Sequence, residues 1–341
     1  MRAALGWDVG GANVKVARLF DGVVTATAQI PCDVTDGFDA LAGALEQALI
    51  AVGPAPRNAV TLTAELADCF PDRARGVDSV LDVVERTLFG RVLVYDGHEG
   101  RLLAPARARA RPDGAASANW HATAAIAASR GAEGLLVDLG GSTTDMVPVG
   151  GGRVLARGRT DHERLYLREL VYTGVERTPL LALGPSIPFE GRAIPLMAER
   201  FATTGDVYRA TGELSGRHHR EDGMETADGA PATRSASLRR IARMIGLDAA
   251  ERSEEAWLTL ARAFRDRHLE RLVAAGAYHR QPGVLVGTGS GSFLLPELAA
   301  ALGRAYRPWS VACGIPVAEK VDVSNFAAAI AVATLHGETH D

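Results

Sequence analysis

The strongest constraint on the fold of this sequence is a repeated tetrapeptide. Asp8-Val9-Gly10-Gly11 ends the run "AALGWDV", and Asp138-Leu139-Gly140-Gly141 ends the run "GLLVDL", 130 positions later. Each copy leads into two further β-prone runs. After the first come "VKVARLF" and "VVTATAQI"; after the second come "TTDMVPV" and "GRVLARG". A single Asp-x-Gly-Gly is an ordinary turn signal. Two copies, each opening a three-strand meander, predict an internal duplication.

The remaining periodicities agree with two α/β halves. Asp21-Gly22 between β-prone runs predicts a hairpin. Phe38, Leu41, Ala42, Leu45, Ala48 and Leu49 recur at helical spacing. "NAVTLT" reads as a strand, "VDSVLDVVERTLFG" as a helix and "RVLVYD" as a strand. "SANWHATAAIAASRG" reads as a helix closed by Gly131. Late in the chain, "GVLVGTGSGSFLLPELAAAL" gives a strand, a glycine loop and a helix, and "VSNFAAAIAVATLHGE" a helix of small residues. A length of 341 residues exceeds what one core usually fills. The expected domains are 1–131 with 322–341, and 132–321. Residues 185–250 break the alternation and read either as an inserted subdomain, or lid, or as a surface loop. The stripe Leu238, Ile241 and Ile245 favours structure.

Composition excludes several functions. A net charge of −4 argues against nucleic acid or an anionic membrane as the main partner, so any anion site must be local. No apolar run approaches the roughly 20 residues that span a bilayer, and the short run before Asp8 does not fit a signal peptide. Cys32, Cys69 and Cys313 form no CxxC pair and no zinc spacing, which fits reduced thiols in a cytoplasmic protein.

The local anion site is predicted at three loops. In "DVGGANVK", Gly10, Gly11 and Ala12 let backbone N–H groups converge, Asn13 adds a side-chain donor and Lys15 a charge. Strand alternation puts Ala4, Gly6 and Asp8 on one face and Leu5, Trp7 and Val9 on the other. Asp8 then either holds Mg²⁺ through water or caps the turn. In "DLGGSTTD", Gly140, Gly141, Ser142, Thr143 and Thr144 offer N–H and O–H donors, framed by Asp138 and Asp145 as further metal candidates. The other reading is a hydrogen-bonded hairpin. In "VGTGSGS", Gly287, Thr288, Gly289 and Ser290 precede a helix and form an anion site through backbone N–H groups and the helix dipole. This loop is neither a dinucleotide fingerprint nor a Walker loop.

Three such loops resemble the actin-like superfamily of sugar kinases, Hsp70 and actin. That resemblance implies a duplicated two-domain fold of the ribonuclease H-like type, with a central cleft for a phosphate chain. A narrower resemblance covers nearly the whole chain. "GWDVGGANVK", "LTAELADCFPDRARGV", "SANWHATA", "LLVDLGGSTTDMVPV", "TDHERLYLRELVYTGVERTP" and "TADGAPATRSASLRRIARMIG" follow in the order seen in the hydantoinase/oxoprolinase-like branch. They are most similar to its methanofuran-biosynthesis aryl-ether synthases, also called tetrahydromethanopterin-linked C1-transfer pathway proteins. The chain departs from that pattern at Gly141, where archaeal relatives carry serine, and matches loosely at "VSNFAAAIAVA".

The resemblance implies a transferase with small-molecule diphosphate and phenolic substrates. It joins an aminomethyl-furan-methanol diphosphate to the phenol of a tyramine derivative and releases pyrophosphate, with Mg²⁺ expected and no ATP needed. Loop N–H groups, Lys15 and a metal on Asp8, Asp138 or Asp145 would stabilise the leaving charge. A phenol of pKa near 10 is ionised about one part in a thousand at pH 7. A base therefore helps by about 10²–10⁴-fold. Asp161, His162, Glu163 and Asp228 are the candidates. Arg164, Arg177, Arg240 and Arg243 are either phosphate or carboxylate partners or solvated arginines. Trp120 and His121 either line the substrate site or pack. His218 and His219 with Glu221 and Asp222 are either metal ligands or exposed loop. Two other functions fit an actin-like cleft: an ATP-dependent kinase or amidohydrolase subunit, and a non-catalytic nucleotide-binding module.

Overall fold

The structure, a computed structural model, describes residues 3–214 and 226–338. β1 (Ala3–Val9), β2 (Asn13–Phe20) and β3 (Val23–Pro31) form an antiparallel meander. Asp21 and Gly22, at φ 45° and 82°, make the two-residue turn expected of Asp-Gly. β4 (Arg57–Leu62) lies parallel to β1, and β5 (Arg91–Asp96) parallel to β4. β6 (Arg101–Leu103) ends the sheet antiparallel, giving the order β3-β2-β1-β4-β5-β6.

Alternation along β1 sorts its residues as expected. Leu5, Trp7 and Val9 enter a core shared with Leu41 and Leu45 of the helix Phe38–Val52 and Val80 and Val84 of Arg73–Thr87. The Trp7 indole N–H donates to Asn58 Oδ1 at 3.0 Å, so the buried ring keeps its hydrogen bond. Gly6 lies on the opposite face, which the C-terminal helix Ala327–Glu338 covers. A Cβ on Gly6 would overlap the Ala329 carbonyl oxygen and come within 2.8 Å of the Ala333 methyl. Only glycine permits this approach of helix to strand. Gly6→Ala is expected to destabilise the fold by about 1–3 kcal/mol through overpacking, read as a lowered melting temperature.

The second sheet repeats the opening. β7 (Gly134–Leu139) and β8 (Thr144–Gly150) flank the second Gly-Gly loop, and β9 (Arg153–Val154) turns back on β8. β9 is two residues long, where "GRVLARG" predicted a full strand. The edge of β8 is shared instead: Val149 and Gly150 pair with β9, while Thr144 and Asp145 pair with β10 (Leu170–Val171). β11 (Ser186–Phe189) and β12 (Arg192–Pro195) form a separate hairpin. β13 (Val284–Thr288) and β14 (Tyr306–Pro308) complete the order β10-β8-β7-β13-β14.

The chain divides into two compact units. Unit 1 comprises Met1–Leu136, Val147–Arg159 and Arg307–Asp341; unit 2 comprises Val137–Met146 and Thr160–Tyr306. Within unit 2, the stretch 185–250 shares a core with the helix Glu254–Gly276 that follows it. The helix Arg234–Arg243 buries Leu238 and Ile241 with Val207, Trp257 and Phe264, and Ile245 packs against them. Phe189 stacks on Trp257 at 5.7 Å. Cys32, Cys69 and Cys313 are free thiols. Among the described residues no helix is long and apolar enough to cross a membrane.

Candidate active site

The duplication extends to the hydrogen bonds of the glycine loops. In unit 1 the Gly10 N–H donates to Asn13 O at 3.0 Å; in unit 2 the Gly140 N–H donates to Thr143 O at 2.9 Å. Each Asp-x-Gly-Gly thus folds into the same tight turn after its strand. Hairpin and donor-rich loop, posed as alternatives from sequence, are one structure here.

In unit 1, Asp8 lies directly opposite Lys15 in the β1–β2 register. A chain of side-chain hydrogen bonds fixes the donors around it. Lys15 Nζ donates to Asn325 Oδ1 at 2.9 Å, Asn325 Nδ2 to Gln29 Oε1 at 2.8 Å, and Gln29 Nε2 to Asn13 Oδ1 at 3.0 Å. Neighbouring backbone holds the loop, since the N–H groups of Cys32 and Val34 donate to Ala12 O and Gly11 O. Sequence reading missed Gln29 and Asn325. Asn325 belongs to the C-terminal stretch that resembles the family loosely, and a partner 310 residues away leaves no local signal.

In unit 2 the second and third loops come together. The Gly291 N–H donates to Leu139 O at 2.8 Å. Gly289 sits at φ 99°, and a Cβ there would meet Leu139 O and come within 2.5 Å of Asp138 Oδ1. Glycine at 289 is therefore required by conformation and by the Asp138 carboxylate beside it. The Ser290 hydroxyl is buried without a hydrogen-bond partner among the described residues, so it retains donor capacity for a bound oxygen. Thr288 is buried, and the loop enters a 3₁₀ turn (Ser292–Leu294) before the short helix Leu295–Ala301. The expected helix N-terminus is thus set back from the glycines.

The segment Val175–Arg177, part of the family motif and holding the candidate Arg177, braces the second loop through its backbone. The N–H of Val175 donates to Gly140 O, and those of Glu176 and Arg177 both donate to Gly141 O. These bonds hold the loop carbonyls, and the Gly140 N–H is used in the turn to Thr143 O, which leaves the N–H groups of Gly141, Ser142 and Thr143 for other work. Glu176 Oε2 lies 3.0 Å from where a Cβ on Gly141 would stand. The glycine at this departure from the family pattern makes room for that carboxylate. Ser142 and Thr143 are partly exposed on the loop. Thr144 is fully buried, and its hydroxyl donates inward to Thr173 O at 2.6 Å. As the first residue of β8 its side chain follows strand alternation, which corrects the expectation of a phosphate donor at this position.

Two predicted ligands have other partners. Asp145 accepts from Arg164 Nη2 at 2.7 Å, and the same nitrogen donates to Glu169 O at 3.0 Å. Burial pushes the Asp145 carboxyl up, Arg164 pulls it back, and the net direction is upward. With a guanidinium against it, Asp145 braces β8 and does not meet the needs of a metal ligand, and Arg164 is committed to it. Arg240 is fully buried in a second lock, donating to Asp206 Oδ1 at 2.7 Å and Asp228 Oδ1 at 2.9 Å. For Asp228, burial is outweighed by hydrogen bonds from the Ala230 N–H and from Arg240, so its carboxyl is held below the ordinary range. That makes Asp228 a weak base. Arg243 is half-exposed, 3.9 Å from Asp228, and Arg177 is exposed.

Of the remaining base candidates, Glu163 closes a capping box with Thr160 on the helix Asp161–Tyr166. Asp161 is partly buried at the start of that helix and His162 is exposed. Trp120 and His121 lie in unit 1 on the helix Asn119–Ser129, away from the glycine loop in sequence; His121 Nδ1 is 2.8 Å from the Tyr95 hydroxyl. His218, His219, Glu221 and Asp222 lie outside the described residues. Among the described residues no group of three or more His, Cys, Asp or Glu side chains could hold a metal by itself.

Known proteins match this chain at three levels. The hydantoinase/oxoprolinase family signature covers residues 57–319. A (4-{4-[2-(gamma-L-glutamylamino)ethyl]phenoxymethyl}furan-2-yl)methanamine synthase of Methanocaldococcus jannaschii is 30% identical over 84% of this chain and 86% of its own. A synthase of the same name from Methanococcus vannielii is 35% identical over 37% of this chain and 55% of its own. Among solved structures, a chain of the PilM-PilN type IV pilus biogenesis complex superposes with a TM-score of 0.50 at 15% identity, covering 99% of both chains. With two Asp-x-Gly-Gly meanders in one fold and these matches, the chain belongs to the hydantoinase/oxoprolinase family, on an actin-like fold, in the branch of the methanofuran-pathway aryl-ether synthases.

Proposed function

We propose that this protein condenses an aminomethyl-furan-methanol diphosphate with the phenol of a γ-glutamyltyramine, forming an aryl ether and releasing pyrophosphate. The furanyl CH₂–O bond to the diphosphate breaks and its electron pair leaves with the phosphate oxygen. The phenolic oxygen bonds to the same carbon and its proton passes to a base. The relatives named as synthases of the corresponding ether support this reading. The observation that carries it is the pair of identically folded donor loops at Gly10–Asn13 and Gly140–Thr143.

The chemistry suits these residues. Charge gathers on the leaving diphosphate as the bond breaks, and fixed donors stabilise charge without reorganising. The N–H groups of the glycine loops, the Lys15 ammonium and the Ser290 hydroxyl are such donors. Asp8 or Asp138 would hold Mg²⁺, which would supply further neutralisation of the diphosphate. The furan stabilises positive charge at its CH₂, so bond breaking runs ahead of attack. Glu163 and Asp228 are committed to a helix cap and an ion pair, which leaves Asp161 and His162 as candidates for the base.

The test is direct. Purified protein is incubated with the furanylmethyl diphosphate, γ-glutamyltyramine and Mg²⁺ without nucleotide. The expected outcome is the ether with one equivalent of pyrophosphate. Absence of both products overturns the reading, and acceptor-dependent consumption of ATP in a parallel arm replaces it with a kinase-type reaction.

A further inference from the structure

The hydrogen-bond chain behind the first glycine loop has a direction, and that direction reaches the loop. Asp8, Lys15 and Gln29 are cross-strand neighbours in the β1–β2–β3 register, so they share one face of the sheet. Asn13, two positions before Lys15 on β2, lies on the same face. The buried Asn325 joins them from the segment just before the C-terminal helix. The Thr27 hydroxyl of β3 holds that segment by donating to Asp322 O at 2.8 Å.

A lysine ammonium has donors and no acceptor, so it can meet only the carbonyl end of a side-chain amide. Lys15 Nζ accordingly donates to Asn325 Oδ1 at 2.9 Å. That contact leaves Asn325 its NH₂ end, which donates to Gln29 Oε1. Gln29 in turn keeps its NH₂ end for Asn13 Oδ1, 3.0 Å away. Each planar amide carries its oxygen on one side and its nitrogen on the other. With Oδ1 taken by Gln29, Asn13 has its NH₂ end to offer. Turning any one of the three amides over would set like ends against each other and lose the bonds.

An anion site needs this orientation. Asn13 itself closes the glycine turn, its backbone carbonyl accepting from the Gly10 N–H at 3.0 Å. The carbonyls of Gly11 and Ala12 are occupied by the N–H groups of Val34 and Cys32. An outward Asn13 carbonyl would restore an acceptor to a loop whose Gly11 and Ala12 carbonyls are tied down. It would repel an anion where the NH₂ end attracts one.

We infer that Gln29 and Asn325 are positioning residues: they carry the polarity of Lys15 to Asn13 and so hold the Asn13 NH₂ group toward a bound anion. Each acts through the next amide in the chain. The identity of that anion as the diphosphate of the furan substrate rests on the proposed reaction.

Double-mutant cycles on the full chain test the relay, with binding of inorganic pyrophosphate and Mg²⁺ read by calorimetry. In the wild type, Asn13→Ala is expected to weaken binding by about tenfold, the loss of one hydrogen bond to a charged group. Gln29→Glu and Asn325→Asp keep the side-chain shape, but a carboxylate has no NH₂ end. Either one therefore reverses every amide between itself and the loop. In both backgrounds Asn13 presents its carbonyl, so Asn13→Ala is expected to leave binding unchanged or to strengthen it by up to about threefold. The added negative charge weakens binding in each background as a whole and cancels within the cycle. Melting temperatures show that each variant is folded, and the two backgrounds test the relay independently. A merely structural role leaves the Asn13→Ala factor the same in all three backgrounds. That result overturns the inference, as does a wild type that does not bind pyrophosphate. Ether formation is followed in parallel. Pyrophosphate binding with the reversal but without ether overturns the reaction and leaves the relay. Ether formation with one constant Asn13→Ala factor overturns the relay alone.

Discussion

Arg164→Ala is expected to cost about 3–5 kcal/mol of stability. Arg164 is 2% exposed and its guanidinium holds both Asp145 Oδ1 and Glu169 O. Asp145 is the second residue of β8, three positions beyond Ser142 of the glycine loop. Removing the guanidinium leaves the Asp145 carboxylate buried without its cation, while the Glu169 carbonyl keeps the Met146 N–H. Against a total of about 5–15 kcal/mol for a typical domain, such a loss brings the fold near its limit. Urea denaturation is the measurement, and a lower midpoint at unchanged m-value is the expected signature. A double variant separates the pair from its geometry. Arg164→Met with Asp145→Leu should recover much of the loss, because replacing both members of a buried pair by apolar residues is often close to neutral. A loss of less than about 1 kcal/mol for the single variant would contradict the ion pair as the brace of this loop.

Asp8→Asn and Asp138→Asn are each expected to lower turnover by well over about tenfold while leaving the fold intact; each factor of ten is about 1.4 kcal/mol of barrier. The substitution keeps the shape of the side chain and removes its charge. Asp8 faces Lys15 at the end of β1, and Asp138 lies against the backbone of Gly289. On the proposed reaction, loss of the charge would remove an anchor for Mg²⁺ and electrostatic order around the diphosphate, effects of the size seen when one fixed stabilising group is deleted. Steady-state kinetics with the furanylmethyl diphosphate, alongside melting temperatures, separates a catalytic loss from a folding one. Wild-type rates in both variants would refute the metal-phosphate reading.

What could be read from the sequence is what the backbone itself demands. Asp21-Gly22 forms its hairpin because both positions need positive φ, and Gly131 ends its helix at φ 80° for the same reason. The two Gly-Gly turns were legible because strand, glycine pair and polar run sit side by side in the chain. Arg164, Arg177, Arg240 and Arg243 looked alike from sequence, since an arginine gives no local sign of where its partner lies. In the fold the buried Arg240 bridges Asp206 and Asp228, Arg164 braces a strand, and Arg177 contributes its backbone N–H. Thr144 was grouped with Ser142 and Thr143 by composition, but the pleat turns it inward to Thr173. Gln29 and Asn325 escaped notice because their roles depend on residues far along the chain.

The fit of the C-terminal helix onto Gly6 has a consequence for synthesis. Strands β1 and β2 leave the ribosome well before the helix that packs on them, and Lys15 leaves it 310 residues before the Asn325 that holds it. Until then the Gly6 side of β1 lacks that helix. The nascent protein must carry that apolar face through the making of all of unit 2, which exposes it to aggregation and to chaperones for most of translation. A ribosome stalled before Asn325 would release a chain whose Asp8–Gly11 loop lacks that partner for Lys15.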